Sequence, residues 1–161
     1  MLFDDIDGVV RWLVQVPLWQ RYGLTEAVAS GNFKRALKRG DWVAVAEVEA
    51  SKQQGPKQVC GFAWCQPGAA FGHSGYLRLL GVQEAFGGQG IGARLLGEAE
   101  LFVAAASNDL FLLVADFNEA AKKFYERCGY CQVGALPGYV LPDVTELVYR
   151  KRLGEEVGSV G

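Results

Sequence analysis

The sequence predicts an α/β chain of the α+β kind: a mixed, mostly antiparallel central sheet flanked by helices. Three observations carry this. Two segments with helical apolar spacing come before any strand. Two β-rich runs follow, separated by a short polar turn, as in an antiparallel hairpin. From Tyr76 onward strand and helix patterns alternate until two strands close the chain. The expected order is α-α-β-β-β-α-β-α-β-β.

The first helix is read over Asp4–Val16, with Ile6, Val9, Val10, Leu13 and Val14 at helical spacing, Asp4 or Asp5 as cap, and Pro17 ending the run. Leu18–Tyr22 reads as an aromatic connector. Thr25 caps a second helix with Ala27, Val28, Phe33, Ala36 and Leu37 inward. Lys34, Arg35, Lys38 and Arg39 suit its C-terminal dipole, and Gly40 stops it. Asp41–Ala50 and Lys57–Gln66 read as paired strands around the turn Ser51–Pro56. Gly61 marks a bulge or a close backbone approach. Pro67–Gly75 reads as a small-residue loop holding His73, and Tyr76–Val82 as the third strand.

A helix follows to about Ala106. Asp109–Asp116 is almost wholly apolar, as in a strand covered on both faces. Asn118 caps a helix over Glu119–Arg127, with Ala121, Phe124 and Tyr125 inward and Gly129 at its C′ position. Tyr130–Gly134 and Val144–Lys151 read as the last strands, joined through Leu136–Asp143, and Gly154–Gly161 as a loose tail. No repeat or linker divides the chain, so one domain is expected over residues 1–153.

Composition narrows the function. The 161 residues are 50% hydrophobic and 21% charged, with a net charge of -2, which argues against nucleic acid as the main partner. No apolar run reaches the roughly 18 residues of a membrane span, and the acidic start Met1-Leu2-Phe3-Asp4-Asp5 is unlike a signal peptide. The chain therefore reads as cytoplasmic, with reduced cysteines.

The chemistry begins at Gly87-Gly88-Gln89-Gly90-Ile91-Gly92, between a strand and an apolar-periodic helix. Glycines let a backbone approach a ligand, and the free N–H groups of a helix start, aligned with its dipole, favour anions. Such a junction is a ready anion site, most often for phosphate. A P-loop is rejected because no lysine follows the glycines. A dinucleotide fingerprint, Gly88-x-Gly90-x-x-Ala93 with Asp116 further on, lacks the parallel βαβαβ surroundings it needs.

A third reading rests on two motifs together. Leu80-Gly81-Val82, Gly87–Gly92 and Ala93-Arg94-Leu95-Leu96 are followed downstream by Asn118, Ala121, Phe124-Tyr125 and Gly129-Tyr130. Over Tyr76 to about Val133 this resembles the GNAT superfamily of N-acetyltransferases. Two departures stand out: Gly87 occupies the place of the family's usual Arg or Gln, and the family's first strand is missing or reduced to Met1–Phe3.

The resemblance implies acetyl-CoA as co-substrate, no metal, and direct transfer to an amine of a small molecule or peptide. It implies that Leu80, Gly81 and Val82 hold the acetyl and pantetheine groups, with a backbone N–H near Val82 polarising the carbonyl. Gly87, Gly88, Gln89, Gly90, Ile91, Gly92 and Ala93 would hold the pyrophosphate, and Asn118, Ala121 and Phe124 would contact CoA. Tyr125 matches the tyrosine that protonates the leaving thiolate, and a phenol with a pKa of about 10 is a sensible donor to a thiolate of about 8.5.

The general base stays open among Glu84, Asp116, His73 and a water chain. Arg78 shares a strand face with Tyr76 and Leu80, where it either binds a substrate carboxylate or joins an ion pair at the sheet surface. Tyr76, with Trp64, either lines the acceptor pocket or fills core. Cys128 and Cys131 fit neither a redox nor a zinc site, since Cys128 lies at a helix C-terminus and Cys60 and Cys65 are too widely spaced. All four cysteines are expected to be small buried apolar residues. A non-catalytic acetyl-CoA-binding module is the alternative function. The acceptor is not legible, and the oligomeric state, with a homodimer among the options, is left open.

Overall fold

A computed structural model describes residues 1–49 and 57–154, with the backbone alone at Phe3. The expected turn Ser51–Pro56 and the expected tail beyond Gly154 lie outside the described residues. The elements are α1 (Ile6–Leu13), α2 (Pro17–Arg21), α3 (Glu26–Arg39), β1 (Trp42–Val48), β2 (Gln58–Ala70), β3 (Ser74–Val82), α4 (Ile91–Ala104), β4 (Asp109–Ala115), α5 (Glu119–Arg127), β5 (Cys131–Pro137) and β6 (Thr145–Arg152). The order is the predicted one with α2 added.

The strands form one six-stranded sheet, β1-β2-β3-β4-β6-β5. It is antiparallel at β1–β2, β4–β6 and β5–β6, and parallel at β3–β4. The chain gathers into two compact units: Met1–Cys65 with Leu79–Ala99, and Gln66–Arg78 with Glu100–Gly161. β2, β3 and α4 each contribute residues to both. No helix among the described residues is long and apolar enough to cross a membrane.

In the first unit, α1 and α3 bury Ile6, Val9, Leu13, Ala29, Phe33 and Ala36 against Val43, Val59, Phe62 and Trp64. Phe33 meets Phe62 edge-on at 5.4 Å, and Trp12 tilts onto the same ring at 5.8 Å. On the other face of β2, a Cβ added at Gly61 would meet Leu95 and Ile91 of α4 at 3.2 and 3.3 Å. β2 is thus covered on both faces, which explains its nearly continuous apolar run. Trp64 is core, with its indole N–H donating to Asp41 at 2.8 Å.

Local signals hold at several helix ends. Thr25 Oγ1 accepts from Val28 N, and Gly40 closes α3 at φ 78°. Asp5 departs from expectation. It has helical dihedrals and makes no cap bond; its carboxylate accepts instead from Leu2 N, while Phe3–Asp5 forms a 3-10 turn. Met1–Phe3 forms no strand, and the Met1 amino group donates to Val43 O at 2.8 Å. Pro17 does not merely end a helix. With Val16 extended before it, Pro17 starts α2, where a missing N–H costs nothing.

The predicted loop Pro67–Gly75 is corrected. β2 continues through Pro67 to Ala70, and a turn over residues 71–73, with Phe71 and Gly72 at φ 56° and 69°, leads into β3. His73 N donates to Ala70 O at 3.1 Å across that turn. A left-handed phenylalanine is uncommon enough that no sequence rule places a turn there. Its exposed ring braces edge-on against Phe111 at 5.3 Å.

In the second unit, β4 buries Leu110, Leu112 and Val114 while Phe111 and Leu113 stay half-buried, so it alternates rather than being covered equally on both faces. α5 ends in a Schellman motif, with Gly129 at φ 89°, Tyr130 N donating to Tyr125 O, and Gly129 N to Glu126 O. Glu100 accepts from Tyr130 Oη at 3.0 Å and from Lys151 Nζ at 2.7 Å, and Glu126 accepts from Tyr149 Oη at 3.0 Å. β5 is the exposed edge strand. Cys60 and Cys65 are buried as expected, whereas Cys128 is half-buried and Cys131, the first residue of β5, is exposed.

Phe62 has no solvent exposure and anchors the aromatic cluster. Phe62→Ala is expected to cost about 3–5 kcal/mol of unfolding free energy, measured by urea denaturation. A loss below about 1 kcal/mol would contradict this packing.

Candidate functional site

The candidate residues fall into two groups, one in each unit. The first unit holds Leu80, Gly81, Val82, Glu84 and Gly87–Ala93; the second holds Tyr76, Arg78, Asp116, Asn118, Ala121, Phe124 and Tyr125.

In the first unit, β3 ends against a distorted stretch of β2. Ala46 pairs with Gly61 but Glu47 pairs with Val59, so Cys60 is an extra residue. Such a bulge leaves ladder groups unmatched. Beside this bulge Gln83 makes two bonds: its N–H donates to Cys60 O at 2.8 Å and its side-chain amide to Val59 O at 2.7 Å. Gly81 is required by space, since a Cβ there would lie 2.9 Å from Phe62 Cε1 and 3.1 Å from Trp12 Cη2. Together these contacts fix the half-buried segment Leu80–Val82.

A 3-10 turn over Glu84–Phe86 follows, closed by Phe86 N to Gln83 O and Gly87 N to Glu84 O. Gly88 and Gly90 then take φ 73° and 77°, the left-handed region that side chains resist, with nothing within 4 Å of a Cβ at either position. Gly87–Gly90 are exposed. The first helical bond of α4 runs from Arg94 N to Gly90 O, so the amides of Ile91, Gly92 and Ala93 head a 14-residue helix. The backbone there fits an anionic group held by N–H donors and the helix dipole. Glu84 is exposed beside it.

In the second unit, Asn118 Oδ1 caps α5 by accepting from Ala121 N at 3.1 Å. Asp116 ties the end of β4 to the start of β6: its N–H donates to Thr145 O at 2.9 Å, and its carboxylate accepts from Thr145 N at 3.3 Å. Lys122 Nζ donates to Asp116 O at 2.8 Å and pairs with Glu119. Tyr125 is buried between Phe124 and Tyr130, with ring centroids 5.0 and 5.7 Å away. Burial first, then Cys128 and Tyr76, holds its phenol far above the usual range, so it stays protonated.

Tyr76 is half-buried and Arg78 exposed on β3. Burial raises the Tyr76 pKa, Arg78 opposes that rise, and Glu146 and Tyr139 add to it. Sequence reasoning missed two residues. Gln83 carries no motif, and its two bonds reach residues of β2 more than twenty positions earlier in the chain. Glu146 lies in an ordinary alternating strand, yet is only 5% exposed. The available signal was an acidic residue two positions from a valine on either side, Val144 and Val148.

The sequence model of the acetyltransferase (GNAT) domain matches residues 39–132, more than half of the chain. Solved structures share the fold at low identity. Ard1 from Thermoplasma volcanium has 20% identity, a TM-score of 0.77, and coverage of 96% of this chain and 95% of its own. The ribosomal-protein-alanine N-acetyltransferase from Brucella melitensis has 20% identity, a TM-score of 0.75, and coverage of 95% and 97%. An aminoglycoside 6'-N-acetyltransferase complexed with coenzyme A has 18% identity, a TM-score of 0.74, and coverage of 93% and 91%. A search of curated proteins by sequence finds no match.

Gln83→Leu removes the side-chain bond to Val59 O. It is expected to destabilise the fold by about 1–3 kcal/mol and to speed amide exchange at residues 80–84. Unchanged exchange there would show that Gln83 does not hold the end of β3.

Proposed function

The chain belongs to the acetyltransferase (GNAT) family, and on that premise we propose that it is an N-acetyltransferase using acetyl-CoA on an amine of a small molecule or peptide. The observation that carries this reading is the turn Gly87–Gly92, with Gly88 and Gly90 left-handed at the head of α4. It supplies backbone donors where a pyrophosphate would lie. Gln89 is the side chain left to assist, since Gly87 offers none, and Gly87 has no spare room, as a Cβ there would meet Glu84 O at 3.1 Å.

Acetyl-CoA supplies the activated acetyl group; the rest of the proposal concerns the chain's own residues. Leu80–Val82 hold the acetyl and pantetheine end through their backbone, and the Val82 N–H polarises the acetyl carbonyl. Asn118, Ala121 and Phe124 at the start and inner face of α5 contact CoA. Tyr125 donates its proton to the departing sulfur. Its burial keeps that proton in place across the working pH range, at the expense of driving force. Arg78 and Tyr76 bind the acceptor.

Glu84 and Asp116 are the proposed proton acceptors. Glu84 is the freer to approach an amine, because the Asp116 carboxylate already bonds Thr145 N. The supporting comparison is an aminoglycoside acetyltransferase structure that contains coenzyme A.

Tyr125→Phe tests the proposal. Turnover, read as thiol release from acetyl-CoA, is expected to fall about a hundredfold with acetyl-CoA affinity unchanged. Unchanged turnover would remove Tyr125 from the mechanism. A wild-type protein that binds acetyl-CoA but turns over no amine would be a non-catalytic binding module instead.

A further inference from the structure

Among the described residues, Trp12 Nε1 is the buried side-chain polar atom that has no hydrogen-bond partner. Trp12 is the penultimate residue of α1, whose Val9, Val10 and Leu13 are buried, so the backbone that carries it is held firmly. Its indole tilts onto Phe62 with centroids 5.8 Å apart, while the residue as a whole is half-buried. An indole N–H shut off from water without a partner is costly, and close packing alone does not require one. A phenylalanine would meet Phe62 with no polar atom to strand. What tryptophan adds is length.

That length ends at Gly81. A Cβ built there would lie 2.9 Å from Phe62 Cε1 and 3.1 Å from Trp12 Cη2. Cη2 is at the far end of the indole, beyond the reach of a phenylalanine ring. Gly81 is the middle residue of Leu80–Val82, the segment proposed to hold the acetyl group through its backbone. The indole tip and the Phe62 edge therefore close one side of that segment. On the neighbouring strand, a Cβ at Gly61 would sit 3.0 Å from Gly81 O, with Leu95 and Ile91 of α4 at 3.2 and 3.3 Å. The surroundings of Gly81 are thus bounded by bulky apolar groups from α1, β2 and α4, all within the first unit. Close-packed surroundings of this kind do not take an added methylene without strain.

We propose that Trp12 sets the length of the acyl group: its ring tip walls off the space beside Gly81, so that acetyl fits and butyryl or longer chains do not. This rests on the acetyltransferase reading. Trp12 is a specificity-determining residue that bounds the acyl group; the thioester chemistry stays with the groups named above.

The test needs no acceptor amine. Dissociation constants of CoA, acetyl-CoA, butyryl-CoA and hexanoyl-CoA are measured by calorimetry for the wild type, Trp12→Phe and Trp12→Ala. The wild type is expected to bind butyryl-CoA about tenfold or more weakly than acetyl-CoA. Trp12→Phe is expected to close most of that gap by tightening butyryl-CoA, and Trp12→Ala to admit hexanoyl-CoA as well. An absolute gain in affinity for the longer thioester is a result that a damaged fold does not give. Equal wild-type affinities for acetyl-CoA and butyryl-CoA, or a ratio that neither variant changes, overturns the proposal. The wild-type comparison stands whether or not the variants fold. If the wild type binds neither CoA nor any of its thioesters, the acetyltransferase reading itself fails, and this inference with it.

Discussion

The close approach of β2 and β3 at Gly61 and Gly81 is the constraint on which the candidate cofactor site depends. A Cβ at Gly61 would sit 3.0 Å from Gly81 O, and a Cβ at Gly81 would strike Phe62 and Trp12. With both positions bare, the strand ends pack closely, and α4 lays Ile91 and Leu95 against the same spot. Beside the bulge at Cys60, Gln83 bonds the carbonyls of Val59 and Cys60. The chain therefore leaves β3 in one direction and enters α4 through glycines whose dihedrals few other residues hold at low strain. Packing and hydrogen bonds set the turn before any ligand is considered, which is the pre-organisation that keeps binding from losing affinity to loop ordering.

What was legible in the sequence was local. Thr25, Gly40, Asn118 and Gly129 each act within four residues of themselves, and the structure shows each in its expected role. The α5 boundaries were read without error for that reason. The glycine turn was legible too, since its meaning lies in a strand, four glycines and a helix in succession. What escaped depends on partners distant in sequence. Glu146 is buried through a register linking β3, β4 and β6, and Gln83 acts across a bulge in β2. Phe71 turns the chain in a left-handed conformation held with help from Phe111, forty residues away in sequence. Pro17 was read as a stop when it was also a start, because its fixed φ suits a first helical turn.

The two halves of the proposed chemistry are set by different physics. The turn offers exposed backbone donors and a helix dipole, so its affinity for an anion depends on geometry and falls with salt. Tyr125 is governed by burial, which raises its pKa and keeps its proton bound across the ordinary pH range. Glycine stands in the turn where space and dihedral demand it, and the phenol of Tyr125 keeps its proton because it is buried.

Amide hydrogen exchange, followed by mass spectrometry with and without CoA, addresses the central claim most directly. The account predicts that CoA slows exchange in the segment spanning Gly87–Leu96, most at the amides of residues 88–93, and that NAD leaves that segment unchanged. Protection by NAD there, or CoA protection that spares those amides, would contradict it.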